Sequence, residues 1–254
     1  MKGMFCLACM ALAPCTGLAQ QNLAMDMRGM PSTPSAVTPG MEMHDDGEQS
    51  MVLVDQLEFA SSEAAAGPRW QAEAWYGNDS DKLWLRSEGA ASHGRIGEGD
   101  LEAFWNRAVS AFWSTQWGVR HDVGSGTQRN WAAVGLEGLA PFWIELQATA
   151  YAGAGGRMAA RGRAQYTLRF TQRLIAQPEL EINLYNRTDA QPPLGGDVSD
   201  AQFGLRFRYE ITRQFAPYAG VVWLRRFGAT AAFVRMAREP IFDRQFVAGI
   251  RFWF

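Results

Sequence analysis

Residues Gln202 to Ile211 read QFGLRFRYEI, and apolar and polar side chains alternate along the whole stretch. Successive side chains of a β-strand point to opposite faces, whereas a helix would scatter the same charges around its axis. One face of the strand would carry Phe203, Leu205, Phe207, Tyr209 and Ile211, and the other would carry Gln202, Gly204, Arg206, Arg208 and Glu210. This pattern predicts a strand that separates an apolar environment from a charged one.

Other segments repeat this period of two. In the first such segment the apolar residues are Leu180, Ile182 and Leu184, and the polar ones are Glu179, Glu181 and Asn183. In the second the apolar residues are Ile144, Leu146 and Ala148, and the polar ones are Glu145, Gln147 and Thr149. In the third the apolar residues are Tyr166, Leu168 and Phe170, and the polar ones are Gln165, Thr167 and Arg169. The chain ends with Phe246, Ala248, Ile250, Phe252 and Phe254 on one face, which resembles the terminal-strand signal of outer-membrane proteins. The edge strand of a soluble sandwich would expose this apolar row without a protecting charge, so the pattern favours a barrel.

The folded part of the chain is predicted to be all-β. No segment after residue 50 approaches the ~20 apolar residues of a membrane-spanning helix, so a closed barrel is the remaining way to cross a bilayer. We predict an antiparallel transmembrane β-barrel of about 12 strands in residues 51–254. The strands are expected to begin near Met51, Arg69, Lys82, Asp100, Phe112, Asn130, Phe142, Gly162, Glu179, Asp200, Pro217 and Arg244.

The predicted connections alternate between short and long. Short turns are expected at 77–81, 108–111, 140–141, 174–178 and 212–216, and long loops at 60–68, 89–99, 123–129, 153–157, 188–199 and 227–243. Bacterial barrels combine an even strand number with short periplasmic turns and longer external loops. This pattern predicts an outer-membrane location, with both chain termini in the periplasm.

The first residues predict an export signal over residues 1–19, with a positive Lys2, an apolar stretch and a small-x-small cleavage site at Gly17–Ala19. The apolar stretch is too short for a transmembrane helix. A lipoprotein site at Cys15 is a weaker alternative, because Pro14 fits that motif poorly. The signal contains Cys6, Cys9 and Cys15, the three cysteines of the chain. The mature protein would therefore lack disulfides and thiolate metal sites.

The composition of the chain argues against nucleic-acid binding and indicates contact with a membrane interface. A net charge of −2 with scattered arginines does not fit a nucleic-acid-binding protein. The chain has 10 Trp and 15 Phe although its mean hydropathy is −0.20, so many aromatic side chains should lie at a membrane interface. The candidates near strand ends are Trp70, Trp84, Trp113, Trp117, Trp131, Trp143 and Trp253. The alternation places Trp84 and Trp143 on the lumen face.

Residues 20–50 lack apolar periodicity and predict a disordered arm. The arm contains MDMRGM from Met25 and MEMHDD from Met41. Thioethers select Cu(I), whereas imidazole and carboxylate accommodate Cu(II), and a disordered tail rarely favours Met. We predict a copper ion bound by Met25, Met27, Met30, Met41, Met43 and His44.

The predicted lumen face carries charges of both signs. They are Glu73, Arg86, Glu102, Arg120, Glu145, Arg163, Arg169, Glu181, Arg206, Arg208, Glu210 and Arg251. Unpaired charges inside a barrel would be costly, so we expect these side chains to pair across the interior and largely fill it. This expectation disfavours a wide, permanently open pore.

Five motifs follow the Met-rich leader. They are Trp117-Gly118-Val119-Arg120-His121-Asp122, Leu139-Ala140-Pro141-Phe142-Trp143, Thr149-Ala150-Tyr151, Phe215-Ala216-Pro217-Tyr218 and Val247-Ala248-Gly249-Ile250-Arg251-Phe252-Trp253-Phe254. Together they resemble the copper resistance protein B family over nearly the whole mature chain. The resemblance implies an outer-membrane barrel that works with periplasmic copper-handling proteins to sequester copper or pass it outward. The arm has a single His, fewer than richer members of that family.

Two other functions stay open at this point. A general channel or structural barrel with an incidental Met-rich arm would explain the strands equally well. A membrane hydrolase would need a positioned serine near His121 and Asp122, and no serine stands out in a recognisable motif. His93 lies in an Arg- and Gly-rich loop and is expected to be solvated. We therefore expect a binding protein and not an enzyme.

Overall fold

The computed structural model describes residues 47–62, 66–92, 94–125, 128–186, 189–190, 193–194, 197–236, 238 and 240–254. Twelve long β-strands dominate this part of the chain. They are β1 (Gln49–Ser61), β2 (Ala66–Gly77), β3 (Asp81–Ser92), β4 (Arg95–Ala108), β5 (Trp113–Gly124), β6 (Asn130–Ala140), β7 (Ile144–Gly153), β8 (Arg157–Tyr166), β9 (Leu174–Tyr185), β10 (Asp197–Tyr209), β11 (Phe215–Arg226) and β12 (Phe242–Trp253).

The twelve strands form one closed antiparallel barrel, as the sequence predicts. Each long strand pairs with the strands before and after it, and β1 pairs with β12 to close the sheet. At this seam Leu53 lies opposite Trp253 and Ser61 lies opposite Phe246. Closure leaves no long strand with an unpaired edge, which is the condition for a sheet to cross a bilayer.

The two ends of the barrel differ. Residues 78–80, 109–112, 141–143 and 210–214 connect strands at the end that we call the turn end, where β1 begins and β12 finishes. Residues 186–196 and 227–241 belong to the opposite end, which we call the loop end. A nine-residue helix, α1 (Gly228–Met236), lies in the last loop. The Thr230 hydroxyl lies 2.7 Å from that of Ser199, which ties α1 to β10.

The alternation predicted for β10 is confirmed. Phe203 and Phe207 are 41% and 46% exposed on the outer face, whereas Arg206 and Arg208 are 4% and 7% exposed inside. The same division holds at β9, where Leu180 is exposed. Among the described residues, no helix is both long enough and apolar enough to cross a membrane.

Several predicted boundaries are wrong. Residues 89–92 and 95–99 extend β3 and β4 instead of forming a long loop, so the expected strict alternation of short and long connections does not hold. Residues 174–178, predicted as a turn, begin β9, and α1 was not predicted. A proline such as Pro178 indicates a break in a strand, yet Pro178 pairs with Leu205 of β10 on one side of β9. On its other side the neighbouring strand is interrupted at Thr167, because proline has no N–H to donate.

Two of the predicted tryptophan positions are wrong. Trp143 does not face the lumen: it lies in the 3-10 turn Pro141–Trp143 and is 73% exposed. Trp131 is not part of an outer girdle, because it is buried inside the barrel. Trp84 does face the lumen, where it packs against an internal aromatic cluster. The turn predicted at 140–141 is present, but it extends to Trp143, so the strand begins at Ile144 and not at Phe142.

We expect Gly118→Ala to destabilise the barrel. A Cβ at Gly118 would lie 2.0 Å from the Ala103 carbonyl oxygen and 2.8 Å from Phe104 Cα, both backbone atoms. Overpacking costs about 1–3 kcal/mol, so the midpoint of denaturant unfolding in micelles, followed by Trp fluorescence, should fall. Gly162→Ala is the control, because a Cβ there meets nothing within 4 Å. Equal midpoints for the two variants would contradict this expectation.

Candidate functional site in the lumen

Five arginine side chains project into the lumen and share carboxylates with one another. Their side chains are 5–12% exposed, and a guanidinium removed from water to this extent needs an anion in contact. We call the connected set the ion ladder. Its arginines are Arg86, Arg120, Arg161, Arg163 and Arg206, and its carboxylates are Glu58, Glu88, Asp100, Glu102, Glu137 and Glu179.

The ladder begins at Glu137 on β6. The Glu137 carboxylate contacts Arg86 Nη2, and Arg86 Nη1 lies 3.9 Å from Glu102 Oε2. Arg120 Nη1 lies 4.0 Å from the other oxygen of Glu102, and Arg120 Nη2 lies 3.1 Å from Asp100 Oδ2. These contacts connect the four strands from β3 to β6.

Asp100 connects the ladder to β8. Arg161 Nη2 also lies 3.1 Å from Asp100 Oδ2, and Arg161 Nη1 contacts Glu88. Arg163 Nη2 lies 2.7 Å from Glu88 Oε2, while Arg163 Nε lies 3.4 Å from Glu179 Oε1. The four carboxylates between the two ends of the ladder each lie between two guanidinium groups. In this order the attraction between neighbours offsets the repulsion between like charges.

Arg206 completes the ladder at β1. Its Nη1 lies 3.0 Å from Glu179 Oε2. Its Nε donates to Glu58 Oε2 at 3.0 Å and its Nη2 to Glu58 Oε1 at 3.1 Å, the two-pronged geometry of strong Arg–carboxylate pairs. Tyr218 Oη donates to Glu58 Oε2 at 3.0 Å. The buried Glu58 carboxylate therefore has hydrogen-bond donors at both oxygens.

A β-bulge in β1 places two consecutive polar side chains in the lumen. The register between β1 and β12 shifts between Val54 and Leu57, and such a shift breaks the usual in-and-out alternation. Asp55 Oδ1 lies 2.6 Å from Arg251 Nε on β12. The next residue, Gln56, also points inward and accepts a hydrogen bond from Arg206 at 2.9 Å.

Aromatic side chains fill the lumen beside the ladder. The internal cluster consists of Phe104, Trp131, Ala133 and Tyr151, with Trp84 packed against it. Tyr151 Oη donates to Glu102 Oε1 at 2.6 Å, and Trp131 Nε1 donates to Asp122 Oδ2 at 2.8 Å. Because these polar atoms have partners, the rings can be buried without an unsatisfied donor.

The ladder leaves little space in the middle of the lumen. One cavity there has a volume of about 30 Å³, room for about one water molecule. Its charged lining is Glu73, Arg86, Glu88, Asp100, Glu102, Arg161 and Arg163. At the turn end a larger cavity of about 560 Å³ reaches Trp84 and Glu137. Charged side chains in contact with one another therefore occupy the middle of the lumen.

The prediction that lumen charges pair across the interior is confirmed for Arg86, Arg120, Arg163 and Arg206. The sequence pattern missed Glu58 and Glu137 as lumen charges. It also missed the three charges Glu88, Asp100 and Arg161. Each lies two residues from a charge that was predicted correctly, and these neighbours are Arg86, Glu102 and Arg163. Extending the period of two to the true strand ends would have found them.

The predicted copper ligands lie outside the described residues. They are Met25, Met27, Met30, Met41, Met43 and His44. Within the residues that the structure describes, no group of three or more His, Cys, Asp or Glu side chains is placed to hold a metal ion. The barrel thioethers of Met158 and Met236 are 60% and 72% exposed.

His121 and Asp122 make separate contacts in the wall of the barrel. His121 Nδ1 lies 2.6 Å from Asn130 Oδ1. Asp122 accepts hydrogen bonds inside the lumen from Arg120 Nε at 2.7 Å and from Trp131. His93 lies outside the described residues. The contacts of His121 and Asp122 are thus with structural neighbours in β5 and β6.

The sequence matches the family model described as Copper resistance protein B precursor (CopB) over residues 48–254. The chain belongs to the copper resistance protein B family. A Copper resistance protein B homolog from Pseudomonas syringae pv. tomato (strain ATCC BAA-871 / DC3000) is 41% identical over 215 residues, which cover 85% of this chain and 73% of that protein. Copper resistance protein B of Escherichia coli is 38% identical over 215 residues, with the same coverage of both chains.

The fold of this family member is similar to that of a solved porin. The NanC porin superposes with a TM-score of 0.55 at 11% sequence identity, covering 79% of this chain and 98% of that chain. At this identity the likeness shows the fold alone. Family and fold together support an outer-membrane barrel with a role in copper resistance, whose apolar outer face contacts lipid.

Arg206→Met should destabilise the barrel far more than Arg208→Met. The two arginines are 4% and 7% exposed on the same face of β10. Removing Arg206 leaves Glu58 buried without its guanidinium and leaves Glu179 with Arg163 alone, at a cost of about 3–5 kcal/mol. Arg208 donates a hydrogen bond to Gln177 Oε1 at 2.9 Å and lies 3.6 Å from Glu210. Because its loss would leave a neutral amide without a partner, and not a buried carboxylate, it should cost only about 1–2 kcal/mol. Denaturant unfolding in lipid vesicles measures both, and equal costs would refute the importance of the ladder.

Proposed function

We propose that this protein binds periplasmic copper through its Met-rich N-terminal arm, and that the barrel anchors the arm in the outer membrane. It acts as a binding protein and not an enzyme, and sequesters copper or passes it outward together with periplasmic copper-handling proteins. The proposal rests on two features taken together: the sequence of the arm contains two Met clusters, and the ion ladder occupies the lumen of the barrel. The proposed ligands are Met25, Met27, Met30, Met41, Met43 and His44.

The chemistry of the arm fits copper. Thioethers are soft, neutral ligands that select Cu(I), and they cannot be lost to disulfide formation in an oxidising compartment. The Met-x-Met spacing lets two or three sulfurs of a flexible chain converge on one ion. His44 stands beside Asp45 and Asp46, and imidazole with carboxylate suits Cu(II). Ordering the arm opposes binding, which favours exchange over permanent capture.

The lumen supports an anchoring role better than a conducting one. The ladder carboxylates already contact guanidinium groups, so they offer no free set of ligands to a passing cation. Each of the four carboxylates that line the central cavity contacts one of the three arginines in the same lining. An entering copper ion would therefore compete with a guanidinium for every carboxylate. Copper handling therefore falls to residues outside the barrel wall.

The direction of the barrel follows from its connections. Bacterial barrels place short turns in the periplasm and long loops outside, so we assign the turn end to the periplasm. Because β1 begins at the turn end with Gln49, the arm that precedes it would lie on the periplasmic side. The proposed ligands would then face the compartment from which copper is removed.

Deleting residues 20–50 should remove the high-affinity copper sites. The mature protein and the deletion form, both in micelles, are titrated with Cu(I) under anaerobic conditions against a chromophoric chelator and with Cu(II) in air. We expect this loss because the described barrel residues contain no group of three or more His, Cys, Asp or Glu side chains placed to hold a metal ion. Equal affinity and stoichiometry in the two proteins would remove the role assigned to the arm.

Point substitutions in the full mature chain separate the two oxidation states. Replacing Met25, Met27 and Met30 together by Leu should weaken Cu(I) binding with little effect on Cu(II), and His44→Gln should do the reverse. Met158→Leu is the matched control, since this thioether is 60% exposed on the barrel wall. If Met158→Leu weakens Cu(I) binding as much as the triple variant, the assignment of ligands is wrong.

A general channel with an incidental arm is the competing hypothesis, and conductance distinguishes the two. We expect low conductance from the parent protein in planar bilayers, because the ladder crosses the lumen. Arg161→Ala combined with Arg163→Ala should raise conductance, whereas Arg251→Ala, outside the ladder at the turn end, should raise it less. A large, steady conductance of the parent protein that does not change when copper is added would favour the channel hypothesis.

A further inference from the structure

Two arginine side chains point outward near the loop end. Arg225 on β11 and Arg244 on β12 are both exposed. Arg225 lies opposite Phe242 and Arg244 lies opposite Trp223 in the register of the two strands. The two arginines are thus diagonal neighbours on one face, at a spacing of about 7–8 Å. A single anionic group can contact both side chains across this distance, because each guanidinium is carried on a long flexible stem.

These two arginines differ from those of the ion ladder. Within the part of the chain that the structure describes, neither forms a salt bridge with a carboxylate. The Arg225 guanidinium lies 5.2 Å from the centre of the Phe227 ring, and that of Arg244 lies 5.5 Å from the Phe246 ring. An aromatic face holds a guanidinium in position without neutralising its charge. Two guanidinium groups therefore lie on the outer wall, each against an aromatic ring.

The surroundings of the two arginines fit a membrane interface. Phe203 and Trp223 stack with ring centres 5.6 Å apart, and Phe242 and Phe246 are 57% and 58% exposed. Aromatic side chains gather where hydrocarbon meets headgroups. A charged side chain is costly in the middle of the bilayer, and this cost falls close to zero near the interface. Both guanidinium groups are therefore at headgroup depth.

We propose that Arg225 and Arg244 bind the phosphate of a glycolipid in the outer leaflet of the membrane. Guanidinium presents parallel N–H donors that match two phosphate oxygens, and it is more weakly hydrated than an ammonium group. The assignment to the outer leaflet rests on the proposed direction of the barrel, with the loop end outside. Lipid binding at this rim would fix the height and rotation of β11 and β12 in the membrane.

The loop that joins β11 to β12 carries two further arginines. Arg235 and Arg238 are exposed within or just after α1. Arg226 Nη1 donates to the Pro240 carbonyl oxygen at 3.0 Å, which holds the end of the loop close to β11. The accumulated positive charge favours a lipid with more than one phosphate over a zwitterionic one.

The first test needs no variant of the protein. The full mature chain in non-ionic micelles is titrated with bisphosphorylated lipid A and with chemically dephosphorylated lipid A, and bound lipid is counted by native mass spectrometry. We expect about tenfold tighter binding of the phosphorylated form, since a hydrogen bond to a charged group contributes about one decade of affinity. Equal binding of the two lipids overturns the proposal.

The second test assigns the preference to these side chains. Arg225→Gln combined with Arg244→Gln should abolish the preference for phosphorylated lipid. Arg107→Gln is the matched control, because Arg107 is an exposed arginine at the turn end of β4. An unchanged preference in the double variant overturns the proposal, as does equal loss in Arg107→Gln.

A competition experiment identifies the source of the phosphate. Millimolar inorganic phosphate should not displace lipid A from the parent protein, because the acyl chains and the aromatic side chains contribute to binding. Displacement would reveal a site for free anions and overturn the lipid assignment. Copper titration of the double Gln variant should match that of the parent, so failure of the lipid proposal is distinguishable from failure of the proposed copper site.

Discussion

A sheet that crosses a membrane has to satisfy its backbone internally and turn its charges away from lipid, and the rest of this structure depends on that constraint. Closure between β1 and β12 satisfies the backbone of the wall. Charges moved to the interior lose water, so each needs an opposite charge within reach. The ion ladder meets this need with alternating carboxylates and guanidinium groups that join strands from all around the barrel. The same contacts that stabilise the wall therefore close the lumen.

The side chains that occupy the lumen bear on the function that we propose for this protein. In our proposal, a barrel whose interior is occupied by paired charges and aromatic rings serves as an anchor. The methionines and the histidine suited to copper precede β1 in the sequence. We therefore propose that the barrel wall holds the protein in lipid and that the Met-rich segment binds the metal ion.

The arginines show how environment determines role. Inside the barrel, Arg206 has two carboxylates within 3.0 Å and is held by geometry that is costly to break. On the outer rim, Arg225 and Arg244 lie over aromatic rings and face the membrane. One residue type therefore stabilises the interior through partners within the chain and, in our proposal, contacts a phosphate that the membrane supplies.

The sequence by itself determined the strand number and the two faces of strands such as β10, because these follow from local periodicity. The copper ligands of the arm stay a prediction from residue type. The sequence did not determine how far the turn at Pro141–Trp143 extends, nor the bulge before Leu57 or the helix α1, where the local period is broken. Only the tertiary structure decided which carboxylate meets which arginine. Glu58 and Arg206 are 148 positions apart, and no local pattern specifies a contact that depends on strand order, register and closure of the whole barrel.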